Sequence, residues 1–151
     1  MKILKQYPRD MIGYGSQKIK VVWPNKARLA LQIVLNYEEG AENCVLHGDK
    51  FSETFLSEII DAKKIKGRNL NMESIYEYGS RRGFWRLHNL FTEKKIPITI
   101  FGVAMALKRN PDICEAIKNG NYEIASHGWR WIDYQNVKKS VEKKHMQLAI
   151  K

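Results

Sequence analysis

Cysteine is scarce: Cys44 and Cys114 stand seventy positions apart with no CxxC spacing, which excludes a disulfide scaffold or a cysteine-bound metal and leaves two reduced or buried thiols. Long apolar runs are missing too. No window approaches the roughly 18 consecutive apolar residues of a membrane span. Met1-Lys2-Ile3-Leu4-Lys5-Gln6 has neither the apolar stretch nor the small-residue cleavage site of a secretory signal. A cytoplasmic protein with no membrane partner is expected. Repeats and low-complexity tracts are also absent. Acid is in short supply, 16 Asp and Glu against 26 Lys and Arg, for a net charge of +10. That excess invites a nucleic-acid reading, but the basic residues are dispersed along the chain, and no recognisable reading element concentrates them on one face. Lysine outnumbers arginine 18 to 8, the pattern of solvated faces and not of phosphate-gripping forks. No nucleic-acid partner is expected.

What remains is an ordinary globular composition, 44% hydrophobic and 28% charged in 151 residues, enough for one domain. Residues 1–26 hold Pro8, Gly13, Gly15 and Pro24 with little periodicity and read as an irregular arm; residues 27–151 read as the domain proper. Ala27 to Leu35 is a near-continuous apolar run, which suits a strand covered on both faces. A long connection, Glu39 to Asn71, follows, with a short helix expected from Ser52 to Ile60. Gly79-Ser80 then caps a helix over Arg81 to Lys95, where Phe84, Leu87, His88 and Phe91 recur at helical spacing. A strand at Ile98 to Phe101, helices at Ala104 to Arg109 and Pro111 to Lys118, a strand at Tyr122 to Ala125 and a last helix from about Val137 complete the pattern. Alternation of this kind implies an α/β fold with a parallel sheet and right-handed crossovers.

In such a sheet the strand C-termini share one rim, where ligands bind and chemistry is done. The topology therefore brings Glu38 and Glu39, Gly102, and Ser126 with His127 to the same place. Two carboxylates facing a histidine suit general acid–base hydrolysis, because a desolvated carboxylate beside a second one is pushed toward neutrality and His titrates there unaided. The plain alternative is an acidic surface loop opposite an ordinary loop histidine. A metal site is the next reading. Hydrolytic zinc needs about three protein ligands and one open position; Glu39 and His127 supply two, and Trp131 stands where a second histidine would complete the set. Neither a metal nor another cofactor is expected. Tyr76, Tyr78, Trp85, Trp129, Trp131 and Tyr134 gather near the same segments and suit either a ring-binding wall or plain core packing. Arg81 could orient an anionic or carbonyl group, or simply be a solvated helix-start arginine.

Several blocks together resemble the NodB-homology (polysaccharide deacetylase-like) family, and its allantoinase branch in particular. They are Tyr7-Pro8-Arg9-Asp10 with Gly13-Tyr14-Gly15; Val34-Leu35-Asn36-Tyr37-Glu38-Glu39-Gly40; Glu42 to Asp49; Glu73 to Arg81; and Ser126-His127-Gly128-Trp129-Arg130-Trp131. The resemblance implies the N-terminal half of an irregular (β/α) barrel with parallel strands. It implies hydrolysis of non-peptide C–N bonds, either the cyclic amide of allantoin or the acetamides of amino sugars in carbohydrate metabolism. Glu38 falls at the family's base position and Glu39 at a metal-ligand position, so Glu38, Glu39 and His127 are the implied catalytic residues. Tyr37, Glu77, Tyr78, Arg81, Trp129, Arg130 and Trp131 are the implied contacts to a small-molecule amide substrate. Trp131 for histidine, and Glu for Asp at both acidic positions, depart from the wider superfamily pattern; the allantoinase branch is likewise without a full metal triad.

Closed (β/α) barrels run to about 250 residues, and three or four strands cannot close one. The chain is therefore expected to be a truncated half, inactive alone. Two alternatives stand beside that expectation: an active amidase or deacetylase assembled as a homo-oligomer or with a complementary C-terminal chain, and a non-catalytic binding module.

Overall fold

The computed structural model describes residues 8–151; Tyr7 and the start of the N-terminal arm lie outside the described residues. The chain divides into two compact units, Met1–Leu31 and Gln32–Lys151.

In the first unit, the Asp10 carboxylate accepts the backbone N–H groups of Ile12 and Gly13 at 2.9 and 3.0 Å. This Asx-type turn holds its pKa below the ordinary value through the Gly13 bond first and the Ile12 bond second. A 3₁₀ turn follows at Pro24–Lys26. The expected strand from Ala27 does not form over its first half. Leu29 and Leu31 are 75% and 78% exposed, and β1 is confined to Val34–Tyr37. The apolar run is longer than its partner: ladder bonds end where the four-residue β2 ends, and Ile33 supplies the first rung by accepting from Thr99 N–H at 3.0 Å.

The second unit contains β1, α1 (Leu70–Tyr78), a π-helical turn (Gly79–Gly83), α2 (Phe84–Glu93), β2 (Thr99–Gly102), α3 (Ala104–Arg109), α4 (Pro111–Asn119), β3 (Glu123–Ser126) and α5 (Lys139–Ile150). All three strands are parallel, in the order β1-β2-β3. Stepping always the same way with right-handed crossovers puts the connecting helices on one face of the sheet, the winding of a barrel and not of a doubly wound sheet. On that face Tyr37, Ile100, Phe84, Val103, Ala106, Ile113 and Ile117 form a closed core, with Ile100 fully buried at its centre. The opposite face carries Val34, Asn36, Phe101, Glu123 and Ala125 by strand alternation, and none of them is buried. On the edge strand β3, Ile124 too is exposed.

Two sequence expectations about the connections fail. Ser52 caps no helix; it pairs in an isolated antiparallel bridge with Ile65, and its hydroxyl donates to Gly67 O at 2.7 Å, so 52–65 is a pinned loop. Gly79-Ser80 caps nothing either. The helix begins ten residues earlier, where Asn69 Oδ1 accepts from Met72 N–H at 3.3 Å. Met72 and Tyr76, four residues apart, bury one stripe of it. Helical backbone then continues through Gly79, with Phe84 N–H donating to Gly79 O five residues back. Asn110 caps α4 through Ile113 N–H, and Pro111 occupies its first turn.

Candidate active site

The parallel ladder runs one residue past each strand and fixes the rim: Val103 N–H donates to Tyr37 O at 2.9 Å and His127 N–H to Gly102 O at 3.0 Å. Alternation then turns Glu38 and His127 to the bare face. Glu38 Oε1 lies 3.0 Å from His127 Nε2 and accepts from Asn36 Nδ2 at 3.0 Å. An ionised carboxylate only accepts, so Nε2 carries the hydrogen and Nδ1 of the neutral ring is left as its lone pair. The imidazole is tilted over Phe101, ring centroids 6.0 Å apart, which restricts its swing. Oε2 of Glu38 takes no part in these bonds, so the pair offers an acceptor and a histidine on one open surface.

Glu39 does not join them. It lines a cavity of about 250 Å³ bounded also by Tyr37, Glu42, Cys44, His47, Tyr76, Glu77, Arg109 and Asn110, but by neither Glu38 nor His127. The expectation of two carboxylates side by side is corrected by strand geometry: consecutive residues leave β1 toward opposite sides. Glu39 Oε2 accepts Glu38 N–H at 2.9 Å, and its side chain lies against Gly79, where an added Cβ would come within 2.7 Å of Glu39 Cγ. Burial raises the Glu39 pKa; backbone N–H groups counter this, and the charges of Glu38 and Glu42 add to it. The Tyr37 phenol is raised as well, by burial and then by the Glu39 charge.

The remaining expected substrate contacts scatter. Tyr37 is a core residue whose hydroxyl receives a long bond from Asn110 Nδ2, 3.4 Å, although it and Glu77 both line the Glu39 cavity. Glu77 is tied to Arg81 at 3.1 Å on the exposed helix face, and Tyr78 accepts from Arg86 at 2.8 Å, also exposed. Lys108 Nζ sits 5.7 Å from the Trp129 ring centroid. Trp131 packs near Phe55 and Tyr76, with centroids at 5.8 and 6.4 Å, and borders a separate cavity of about 360 Å³ with Asn43, Glu53 and Asp133. Arg130 has a different task from the one expected. It is 8% exposed, grips Asp49 through both terminal nitrogens at 3.2 and 2.5 Å, and donates to the carbonyls of Ala41 and Glu42 at 3.3 and 3.0 Å. The guanidinium thus pins the loop after β1 to the loop after β3, and with them the spacing of Glu38 and His127.

The sequence reading passed over Asn36, whose amide beside a strand-end glutamate was the available signal. It also set aside His47, which accepts from Arg109 at 2.7 Å through Nε2 and donates through Nδ1 to Glu42 O at 3.0 Å. The superfamily's metal does not fit this donor set. His127 Nε2 is engaged by Glu38, Glu39 lies in the adjoining cavity, and the indole at 131 has no lone pair to give. Among the described residues, no three His, Cys, Asp or Glu side chains come together to hold a metal ion, and no helix is long and apolar enough to cross a membrane.

Comparison with known proteins agrees with the winding and the rim. The polysaccharide deacetylase signature matches residues 71–151. A Schizosaccharomyces pombe protein assigned to the polysaccharide deacetylases is 37% identical over 145 residues, which is 94% of this chain and 45% of that protein. The crystal structure of Puue allantoinase superposes with a TM-score of 0.88 at 56% identity, over 97% of this chain and 49% of the other. A Pseudomonas aeruginosa PAO1 structure assigned to the polysaccharide deacetylases gives 0.87 at 55%, over 95% and 48%. The chain therefore spans about half the length of the relatives it matches. A parallel sheet wound as part of a barrel, with its rim built from the segments these relatives share, places the chain in the polysaccharide deacetylase family.

Proposed function

We propose that the chain carries the first half of the catalytic rim of a hydrolase acting on non-peptide C–N bonds, with a cyclic amide of the allantoin type as substrate. The observation that carries this is the Glu38–His127 pair, held at 3.0 Å by two strand ends and steadied by Asn36. The likeness to Puue allantoinase, 56% identical, favours ring opening over removal of an acetyl group.

In this reading Glu38 Oε2 accepts a proton from a water molecule as its oxygen attacks the amide carbon. The C–N bond then breaks, and the leaving nitrogen receives that proton back from Glu38. His127 holds the carboxylate in place through Nε2–H and stabilises its charge. The bare face under this pair, and the edge strands β1 and β3, need cover before water can be excluded from the reaction. We propose that the rest of the barrel wall supplies it, in a homo-oligomer or from complementary C-terminal polypeptide.

The test measures allantoin ring opening, and in parallel release of acetate from N-acetylglucosamine oligomers, with residues 1–151 alone and with the C-terminal half of an allantoinase relative added. Light scattering records the stoichiometry of any complex. Ring opening that appears on mixing and falls at least about a hundredfold in Glu38→Gln supports the reading, the range expected for a general base. Acetate release without ring opening moves the assignment to the deacetylases. A mixed complex in which Glu38→Gln keeps full activity refutes the role of the pair.

A further inference from the structure

The cavity beside β1 combines features that the hydrolytic pair does not use. Glu39 and Glu42 line it, and among the described residues neither carboxylate has a cation for a partner. Glu42 is a 7% exposed residue that accepts one N–H, from Gly40 at 2.7 Å. Tyr76 lines the same cavity, is 6% exposed, and its hydroxyl is the described residues' one buried side-chain polar atom with no hydrogen bond. That phenol feels the carboxylates of Glu42, Glu53, Glu38 and Glu39, in that order. An unpartnered buried hydroxyl among acceptors costs about 1–3 kcal/mol, and such groups call for an explanation.

The other charged groups on the wall are already matched. Glu73 binds Arg68 and Glu77 binds Arg81. Arg109 is bound to Gly40 O and His47 Nε2, and Nδ1–H of that ring goes to Glu42 O. His47 is thus a neutral tautomer and adds no charge. A cavity with two unmatched carboxylates and a free hydroxyl oxygen, in a chain of net charge +10, is complementary to a cation with several N–H donors. A metal is the wrong occupant, since no three ligating side chains converge. The volume, about 250 Å³, is under the roughly 300 Å³ at which drug-sized pockets begin and suits a compact head group.

We propose that this cavity is a binding site for a small guanidinium compound, with the planar cation donating to Glu42 and Glu39 and to the Tyr76 oxygen, while the Tyr76 hydroxyl hydrogen turns to a carboxylate. Arg–carboxylate geometry is the precedent for such a fork. The site stands apart from Glu38 and His127 and does not rest on the hydrolase reading.

The experiment titrates residues 1–151 with methylguanidinium at millimolar concentration, followed by calorimetry and by NMR. Methylurea, the neutral isostere, is the control. Saturable binding of methylguanidinium but not of methylurea is expected. Glu42→Gln should weaken it at least about tenfold, the loss of one charge-assisted bond. Tyr76→Phe removes a hydroxyl that bonds nothing in the free protein, so this variant should fold at least as stably and still bind several-fold more weakly. No saturable binding, equal binding of methylurea, or unchanged affinity in the folded Tyr76→Phe variant would each overturn the proposal.

Discussion

Replacing Arg130 with methionine tests whether that residue holds the rim together or waits for substrate. The stem's volume stays, and the guanidinium goes. Asp49 loses an ion pair, and the carbonyls of Ala41 and Glu42 lose their donors. Breaking one side of a buried pair costs about 3–5 kcal/mol. The Asp49 side chain is 21% exposed and keeps the Cys44 N–H at 2.9 Å, so the lower end applies, about 3 kcal/mol. At roughly 2–4 °C per kcal/mol for a domain of this size, the melting temperature falls by about 6–12 °C. Urea unfolding of Arg130→Met, Asp49→Asn and the double variant gives the coupling directly, expected to exceed about 1 kcal/mol. The pair also has a pH signature. Burial would raise the Asp49 pKa, but the Arg130 bonds, the Cys44 N–H and the Arg130 charge outweigh it, so the folded value lies below the model value of 3.8. The stabilisation is complete above that value and is lost as pH falls through the lower, folded one. Asp49→Asn should flatten that acid limb. A loss under about 1 kcal/mol in Arg130→Met, or strict additivity in the double variant, would refute the clamp.

Glu39→Gln should stabilise the fold at neutral pH. The folded carboxyl is raised above 4.5, so its favourable contribution is present below that value and disappears as pH rises through the folded one; melting curves should show a gain at about pH 7 and none at about pH 4. Gly79→Ala should cost about 1–3 kcal/mol by overpacking against Glu39, and adding Glu39→Ala should recover most of it; denaturation of the single and double variants decides. Asn69→Ala removes the α1 cap and the 3.2 Å bond to Glu53 O, for a loss of about 1–2 kcal/mol by chemical unfolding, whereas Asn69→Asp should keep the cap and lose less.

The sequence made the winding legible because β2, α3, α4 and β3 are punctuated by residues with one job each: Pro97 before a strand, Pro111 in a first turn, Gly120 at a helix end. Once parallel order was granted, Glu38 and His127 had to meet at one rim. What stayed hidden depended on partners far along the chain. The run from Ala27 reads as strand whatever its length, and only the short β2 ladder trims it to Val34. Glu38 and Glu39 look equivalent in sequence, and the pleat alone sends them apart. Arg130 lies inside a motif-like stretch, but its role is set by Asp49, eighty-one positions earlier. The helix from Leu70 was missed because a Gly-Ser pair usually ends or starts one.

That pair belongs to the π turn, and the turn decides which way the second half of the long helix looks. Tyr76 and Phe84 are eight residues apart, which at 3.6 per turn would leave them about 80° out of line. The wider coil at Gly79–Gly83 absorbs roughly that angle, and both side chains end up buried. The insertion works as a phase corrector: removing a single residue there would rotate the whole Phe84–Glu93 segment on its axis and swing Phe84 out toward solvent, with no change to any apolar side chain in the sequence.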